Sequence, residues 1–148
     1  MYERWCFVRL GDAVQSLKPG YDWSISRKHK SGAKVALTGS TGGTARIELL
    51  LQPPFPAGDH NSNAGFRSIS RRREPDIVLT RMDPEHPPKW SIFDAKYRTQ
   101  RTHVLEAMAS AHIYRDALRW RETDSEEIRS LLCEDFDEVS ESSAKVTI

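Results

Sequence analysis

The sequence lacks the features of several protein classes. No apolar run approaches the roughly 20 residues needed to cross a bilayer, and residues 1–5 lack the basic and then apolar layout of a secretion signal. Two cysteines are too few for a disulfide framework, which favours a reducing, cytoplasmic setting. The glycine-rich stretch 39–44 lacks the Gly-Lys-Ser/Thr ending of a phosphate-binding loop. The chain also has no Gly-x-Ser-x-Gly motif, which argues against an esterase.

Basic residues dominate the first 120 positions and acidic residues dominate the rest. Residues 1–120 hold 19 Lys/Arg against 12 Asp/Glu, a net +7, whereas residues 121–148 hold 3 against 9, a net −6, which together give the overall +1. A basic body suits a polyanionic partner such as nucleic acid, because each neutralised phosphate releases condensed counterions. The alternative interpretation is a solvated acidic tail without a functional role.

The spacing of apolar residues predicts an α/β domain. Helices are expected at 2–17 and 102–121, and strands at 46–51, 76–80 and 90–97. Between and after them we expect a loop or hairpin at 18–44 around a short strand at 34–37, a polar loop at 56–70, a proline-rich turn at 83–88 and a terminal strand at 144–148. The expected architecture is a mixed sheet of three to four strands flanked by helices, in a domain at 1–121 followed by an acidic segment at 122–148. The apolar face of the second helix is predicted to contain Leu105 or Met108, with Ala107, Ala111, Tyr114 and Leu118.

The strand predicted at 90–97 carries two charged residues in an apolar setting. Asp94 and Lys96 are two residues apart, so they project from the same face together with Ile92, while Phe93, Ala95 and Tyr97 are expected to pack on the other face. A carboxylate and an ammonium group are costly among apolar residues unless they are paired or functional. The triplet taken alone is equally compatible with a simple ion pair at a strand end.

The preceding strand supplies a second carboxylate. Asp76 follows Pro75 and opens an apolar strand, and a hairpin joining the two strands would place Asp76 near Asp94. Two converging carboxylates repel each other, and a hard divalent cation with oxygen ligands relieves that repulsion. Such a cation polarises a phosphoryl oxygen, while Lys96 orients or deprotonates a water and stabilises developing charge. The pattern therefore favours phosphodiester hydrolysis.

These motifs resemble the PD-(D/E)xK nuclease superfamily. Pro75-Asp76, a spacer containing a turn, and Asp94-Ala95-Lys96 match its signature, and the order helix, three strands, helix matches its restriction-endonuclease-like core. More narrowly, four phrases in order resemble the nuclease domains of McrC-like restriction components. These phrases lie at 2–7, 75–79, 93–98 and 112–118.

The resemblance implies roles for individual residues. Asp76 and Asp94 correspond to acids that bind Mg²⁺ or Mn²⁺, and Lys96 to the catalytic lysine. Glu3 corresponds to an acid on the first core helix that helps to hold the metal, and the alternative is a solvated carboxylate at the chain end. His112 and Arg115, three residues apart on the second helix, correspond to a polar stripe that faces the site or the substrate. The alternative there is a partly buried histidine beside an ion pair.

Two basic clusters flank the predicted site and are candidates for contact with phosphate. Arg71, Arg72 and Arg73 directly precede the first acid motif, and Arg98 and Arg101 follow the second. The alternative is a solvated arginine-rich loop. The resemblance implies cleavage of DNA in a restriction or defence setting, with a targeting or nucleotide-hydrolysing partner subunit. A catalytically silent nucleic-acid-binding module and an RNA-directed nuclease are the competing interpretations.

Overall fold

The computed structural model describes residues 1–58, 63–95 and 101–123. Its elements in chain order are α1 (Tyr2–Leu17), β1 (Asp22–Ser26), β2 (Val35–Ser40), β3 (Arg46–Leu51), β4 (Phe66–Ser68), β5 (Ile77–Asp83), β6 (His86–Phe93), α2 (Arg101–Ala117) and β7 (Leu118–Trp120), followed by a 3-10 turn at Arg121–Thr123. A five-stranded sheet has the order β1-β2-β3-β5-β6, and β4 pairs with β7 in a small second sheet.

Adjacent strands of the five-stranded sheet are antiparallel. Ile77, at the start of β5, pairs with Leu51 at the end of β3 and with Phe93 at the end of β6. Extending the β5–β6 register by one residue places Asp76 opposite Asp94. The predicted acids therefore lie side by side, just beyond the ends of two paired strands.

Helix α1 covers one face of the sheet. Phe7 and Gly11 are buried on the helix, and Phe7 packs with Leu37, Leu49 and Ile77 of the sheet. A Cβ atom on Gly11 would lie 3.1 Å from Leu37 Cδ2, so the helix approaches the sheet closely at this point. Burying each large apolar side chain contributes about 1.5–3 kcal/mol. This packing fixes the first turns of α1 relative to the end of β5.

The opposite face of the sheet packs against the second sheet and α2. Leu50 and Val78 belong to a buried cluster that includes Phe55, Phe66 and Trp120, and the rings of Phe55 and Phe66 stack with centroids 4.7 Å apart. Trp90, Ile92 and Tyr114 pack against this cluster. The end of β6 therefore lies between α1 on one face of the sheet and α2 on the other, with a groove on each side.

The α/β prediction, the first helix and the strand at 46–51 are confirmed, but the sheet differs in detail. It has five strands rather than three to four, and its pairings are antiparallel rather than mixed. The additional strand, β1, is mostly exposed, so it carries little apolar alternation to reveal it. Trp23 on β1 covers Gly39 on β2, where a Cβ atom would lie 2.6 Å from the indole ring.

The proline-rich turn predicted at 83–88 is shorter in the structure. The turn contains only Pro84 and Glu85, and β6 already begins at His86. Asp83 closes the turn by accepting a hydrogen bond from the Glu85 backbone N–H at 3.0 Å. The prolines that follow lie on an edge strand, opposite a register shift in β5 between Arg81 and Asp83, and neither has a ladder partner there.

The prediction that the second helix runs to residue 121 is wrong, because α2 ends at Ala117. Leu118–Trp120 forms β7 instead and pairs with β4, inside the segment predicted to be a polar loop. Trp120 is buried and donates its indole N–H to the Ala64 carbonyl at 3.2 Å, which favours the strand over a further helical turn. The predicted apolar face is also only partly correct, since Leu105 and Met108 are exposed.

Within the described ranges, neither α1 nor α2 combines the length and apolar character needed to cross a bilayer. The terminal strand predicted at 144–148 lies outside the described residues, and so does almost all of the acidic segment. The division between residues 1–121 and 122–148 stays a prediction.

Candidate active site

The carboxyl groups of Asp76 and Asp94 are hydrogen-bonded to each other. Asp76 immediately precedes β5, and its Oδ2 accepts a hydrogen bond from the Ala95 backbone N–H at 2.9 Å. Its carbonyl oxygen accepts a second bond from the Gln52 N–H at 2.8 Å. Gln52 has a positive φ of 50°, which turns the chain at the end of β3 toward Asp76. Backbone groups from two neighbouring strand ends therefore hold this acid in place.

The strand predicted at 90–97 ends before Asp94 in the structure. β6 stops at Phe93, so Asp94 and Ala95 lie just beyond the ladder rather than within it. Asp94 is half-buried and its Oδ2 is inaccessible to solvent. The Ala95 N–H is thereby directed to the Asp76 carboxylate instead of to a neighbouring strand.

The environment of the acid pair disfavours negative charge. Burial, followed by the hydrogen bond with Asp94, raises the pKa of Asp76 from 3.8 to about 6, and the negative charges of Asp94 and Glu3 add to the increase. The hydrogen bond from the Ala95 N–H lowers the pKa of Asp76 and so offsets part of this increase. Two carboxyl groups in contact thus hold a proton between them or require a positive charge.

Glu3 lies within electrostatic range of Asp76, but it is not in the hydrogen-bonded pair. Its Oε2 accepts a hydrogen bond from the Met1 amine at 2.9 Å, and this bond lowers the pKa of Glu3 below its usual value. The side chain is partly exposed on the first turn of α1. Glu3 therefore contributes negative potential to the site, and its carboxylate is held by the chain terminus.

Asp94 lines two grooves, one on each side of the sheet edge. The groove beside α2 has a volume of about 400 Å³ and contains Ile92, Tyr114 and Arg115. Arg115 also forms an ion pair with Asp116 at 3.4 Å. His112 is exposed on the same helix and is not among the described residues that line this groove. Of the predicted polar stripe, only Arg115 shares a groove with Asp94.

The structure describes only some of the other basic residues predicted at the site. Arg71 and Arg72 are exposed, and Arg72 forms an ion pair with Glu74 at 2.6 Å. Arg73 pairs with Phe55 through the backbone, which anchors the arginine-rich segment just before Asp76. Lys96 and Arg98 lie outside the described residues.

A further buried acid, Glu48 on β3, is held in a separate network. Its carboxylate lies 3.2 Å from His29 Nε2 and 2.5 Å from an Arg46 nitrogen. His29 Nδ1 in turn lies 2.8 Å from the buried Ser31 hydroxyl. These contacts tie the loop before β2 to the sheet, and Glu48 is already balanced by its basic neighbours.

The family comparison agrees with this geometry. A family model described as the PD-(D/E)XK nuclease superfamily matches residues 1–132. The chain belongs to the PD-(D/E)XK nuclease superfamily. No curated protein and no solved structure matches the chain significantly.

Membership of this superfamily indicates a nuclease, and hence a nucleic acid as its substrate. PD-(D/E)XK nucleases generally use divalent metals such as Mg²⁺. The acid pair fits such an ion in its donor chemistry, because the two carboxylates supply the hard oxygen ligands that Mg²⁺ requires. Within residues 1–58, 63–95 and 101–123, no group of three or more acids, histidines or cysteines converges closely enough to enclose a metal.

The groove on the α1 side of Asp94 was not predicted. Its lining includes Tyr2, Trp5 and Arg9 of α1, and Phe93 at the end of β6. Phe93 was expected to be packed but is 36% exposed. The signal was present in the helical spacing of Tyr2, Trp5 and Arg9, which places all three on one side of α1.

The raised pKa of Asp76 predicts a pH dependence of stability. Folded Asp76 loses its proton near pH 6, whereas its ordinary value is 3.8. Between these values the folded chain holds a proton that the unfolded chain has lost, so raising the pH favours unfolding. In metal-free buffer, the free energy of unfolding of the wild type relative to Asp76→Asn is expected to fall from about pH 4 to about pH 6.

Denaturant titrations across this pH range measure the difference. Glu74→Gln, which removes an exposed carboxylate two residues away, is the control and should retain the wild-type pH dependence. A pH-independent difference between the wild type and Asp76→Asn would contradict the prediction.

Proposed function

We propose that this chain is a metal-dependent endonuclease that hydrolyses phosphodiester bonds of DNA. The observation that carries the proposal is the contact between the carboxyl groups of Asp76 and Asp94 at the edge of the sheet, in a chain of a nuclease superfamily. These two side chains would hold Mg²⁺ or Mn²⁺, with Glu3 adding negative potential from α1. When bound, the cation supplies positive charge to the phosphate and makes a nearby water more acidic.

The residues of the chain have separate tasks in this proposal. Asp76 and Asp94 bind the cation and so fix where a phosphate is held. Lys96, two residues after Asp94, orients the attacking water or stabilises charge that develops on the phosphate. Arg115 lies in the same groove as Asp94 and is suited to contact a substrate phosphate.

The flanking arginines would extend the phosphate contacts. Arg71, Arg72, Arg73 and Arg98 adjoin the two acid motifs in sequence, and the net charge of +7 over residues 1–120 supports a polyanionic substrate. His112, exposed on α2, would contact the nucleic acid outside the groove.

A restriction or defence setting is supported by the resemblance of four sequence phrases to McrC-like nuclease domains. In that setting a targeting or nucleotide-hydrolysing partner subunit would direct the nuclease to its substrate. The low cysteine content supports a cytoplasmic location.

Incubation with matched DNA and RNA substrates tests the proposal. Plasmid DNA should be cut in the presence of Mg²⁺ or Mn²⁺, and excess EDTA should abolish cutting, because the paired carboxylates then lack their cation. Restoring the metal is the control, since it should recover the activity of the same sample. Cutting that persists in EDTA would contradict metal dependence, and cutting of RNA alone would overturn the choice of DNA.

A further inference from the structure

The groove between α1 and the end of β6 exposes aromatic side chains next to the acid pair. It has a volume of about 480 Å³ and an apolar floor that includes Leu10 and Ile77. Trp5 is 59% exposed and Tyr2 is 40% exposed. Exposed aromatic rings of this size beside a charged site commonly mark a binding surface.

The two aromatic rings on α1 form a nearly parallel stacked pair. Tyr2 and Trp5 stack with centroids 5.9 Å apart and planes inclined by only 15°. Phe93 contributes a third, partly exposed ring from the opposite wall of the groove. Rings held in this way present an aromatic surface without a further loss of side-chain freedom, which suits stacking against another flat ring.

The charged residues around the groove indicate which class of flat-ring ligand it binds. Arg9 lies at the groove and is largely exposed, and it forms a 4.0 Å ion pair with the exposed Asp12. Asp94 also lines the groove, and the proposed metal would attract a phosphate there. Aromatic rings in one groove with a guanidinium group and a phosphate-binding site match the base and backbone of a single nucleic-acid strand.

We propose that this groove stacks an unpaired nucleobase on Trp5 while Arg9 contacts the adjacent phosphate. The inference rests on the proposed function and narrows its substrate to single-stranded or locally unpaired nucleic acid. In a duplex, the bases are stacked on one another and are not available to the Trp5 ring. The expected preference is therefore for single strands, flaps or frayed ends over continuous duplex.

Binding of a fluorescent single-stranded oligonucleotide in EDTA, followed by anisotropy, tests the inference without cleavage. Trp5→Ala should weaken binding roughly five- to a hundredfold, the usual range for the loss of one stacked base, and Trp5→Phe should recover most of the affinity. Val8→Ala is the matched control, because Val8 is on the same helix, is 57% exposed and does not line the groove. It should bind as the wild type does.

Two further measurements identify the contacts. On an oligonucleotide made of abasic sites, the wild type and Trp5→Ala should bind alike, because there is no base to stack. Arg9→Gln should reduce the slope of log affinity against log salt by roughly 0.7, the loss of one phosphate contact on a single strand.

The outcomes separate this inference from the proposed function. A wild type that binds strands in a Trp5-dependent manner but never cuts them supports base stacking and overturns the nuclease proposal. A wild type that cuts DNA but binds equally well after Trp5→Ala overturns base stacking and leaves the nuclease proposal standing. Absence of oligonucleotide binding, or an effect of Trp5→Ala only on capture of a protein partner, also overturns base stacking.

Discussion

Replacing Asp76 or Asp94 with asparagine is expected to lower the rate of DNA cleavage by roughly 10²–10³-fold, the range seen when a group that stabilises transition-state charge is removed. Each substitution keeps the shape of the side chain but removes a negative charge from the hydrogen-bonded pair, so the remaining carboxylate binds Mg²⁺ weakly. Steady-state cleavage of a labelled duplex and of a labelled single strand, at a Mg²⁺ concentration that saturates the wild type, measures the loss.

The control for this experiment is Glu74→Gln. Glu74 lies two residues before Asp76 and is exposed in an ion pair with Arg72. Its replacement should leave cleavage within about twofold of the wild type, since an exposed ion pair contributes little to structure. Full activity of Asp94→Asn, with an intact fold by circular dichroism, would exclude Asp94 as a metal ligand.

The Asp76→Asn and Asp94→Asn variants are expected to lose activity without losing stability. Above about pH 6 the folded wild type holds two neighbouring negative charges, and Asp76→Asn removes one of them. The variant should therefore unfold at a higher denaturant concentration than the metal-free wild type. An inactive but more stable variant distinguishes a functional acid pair from a structural one.

The proximity of the two acids could be predicted because it depends on local rules. Apolar residues follow Asp76 and precede Asp94, and the connection between the strands is short enough for a hairpin. The antiparallel register then places residues 76 and 94 opposite each other, one step beyond the pairing of Ile77 with Phe93. The strand end was placed incorrectly because apolar alternation continues through Tyr97 in the sequence, whereas the backbone N–H of Ala95 bonds to a side chain in the structure.

Features that depend on distant partners could not be read from local patterns. The segment Leu118–Trp120 continues the helical spacing of α2, yet it pairs with a strand about fifty residues earlier in the chain. Helical periodicity describes only one chain segment. Here the pairing of β7 with β4, which buries Leu118 and Trp120, overrides it. For the groove at Trp5, helical spacing could place Tyr2, Trp5 and Arg9 on one side of α1, but not the second wall, which comes from the end of β6.

Lys96→Ala is expected to separate the chemical step from metal binding. If Lys96 acts on the water or on the developing phosphate charge, its loss should reduce the cleavage rate by roughly 10²–10³-fold. Mn²⁺ should still raise the unfolding midpoint of Lys96→Ala as it does for the wild type, because the acid pair is unchanged. The Asp76→Asn and Asp94→Asn variants, by contrast, should lose both cleavage and this stabilisation by metal.

Lys89→Ala provides the matched control for charge. Lys89 is exposed on β6 and pairs with Arg81, several residues before the acid pair, so its removal lowers the net charge equally without touching the site. Its cleavage rate should match that of the wild type at moderate salt. Equal losses in Lys96→Ala and Lys89→Ala would assign the effect to general attraction of the substrate. A loss confined to Lys96→Ala, with metal binding retained, requires a group acting on the reacting phosphate, because neither folding nor net charge then differs between the two variants.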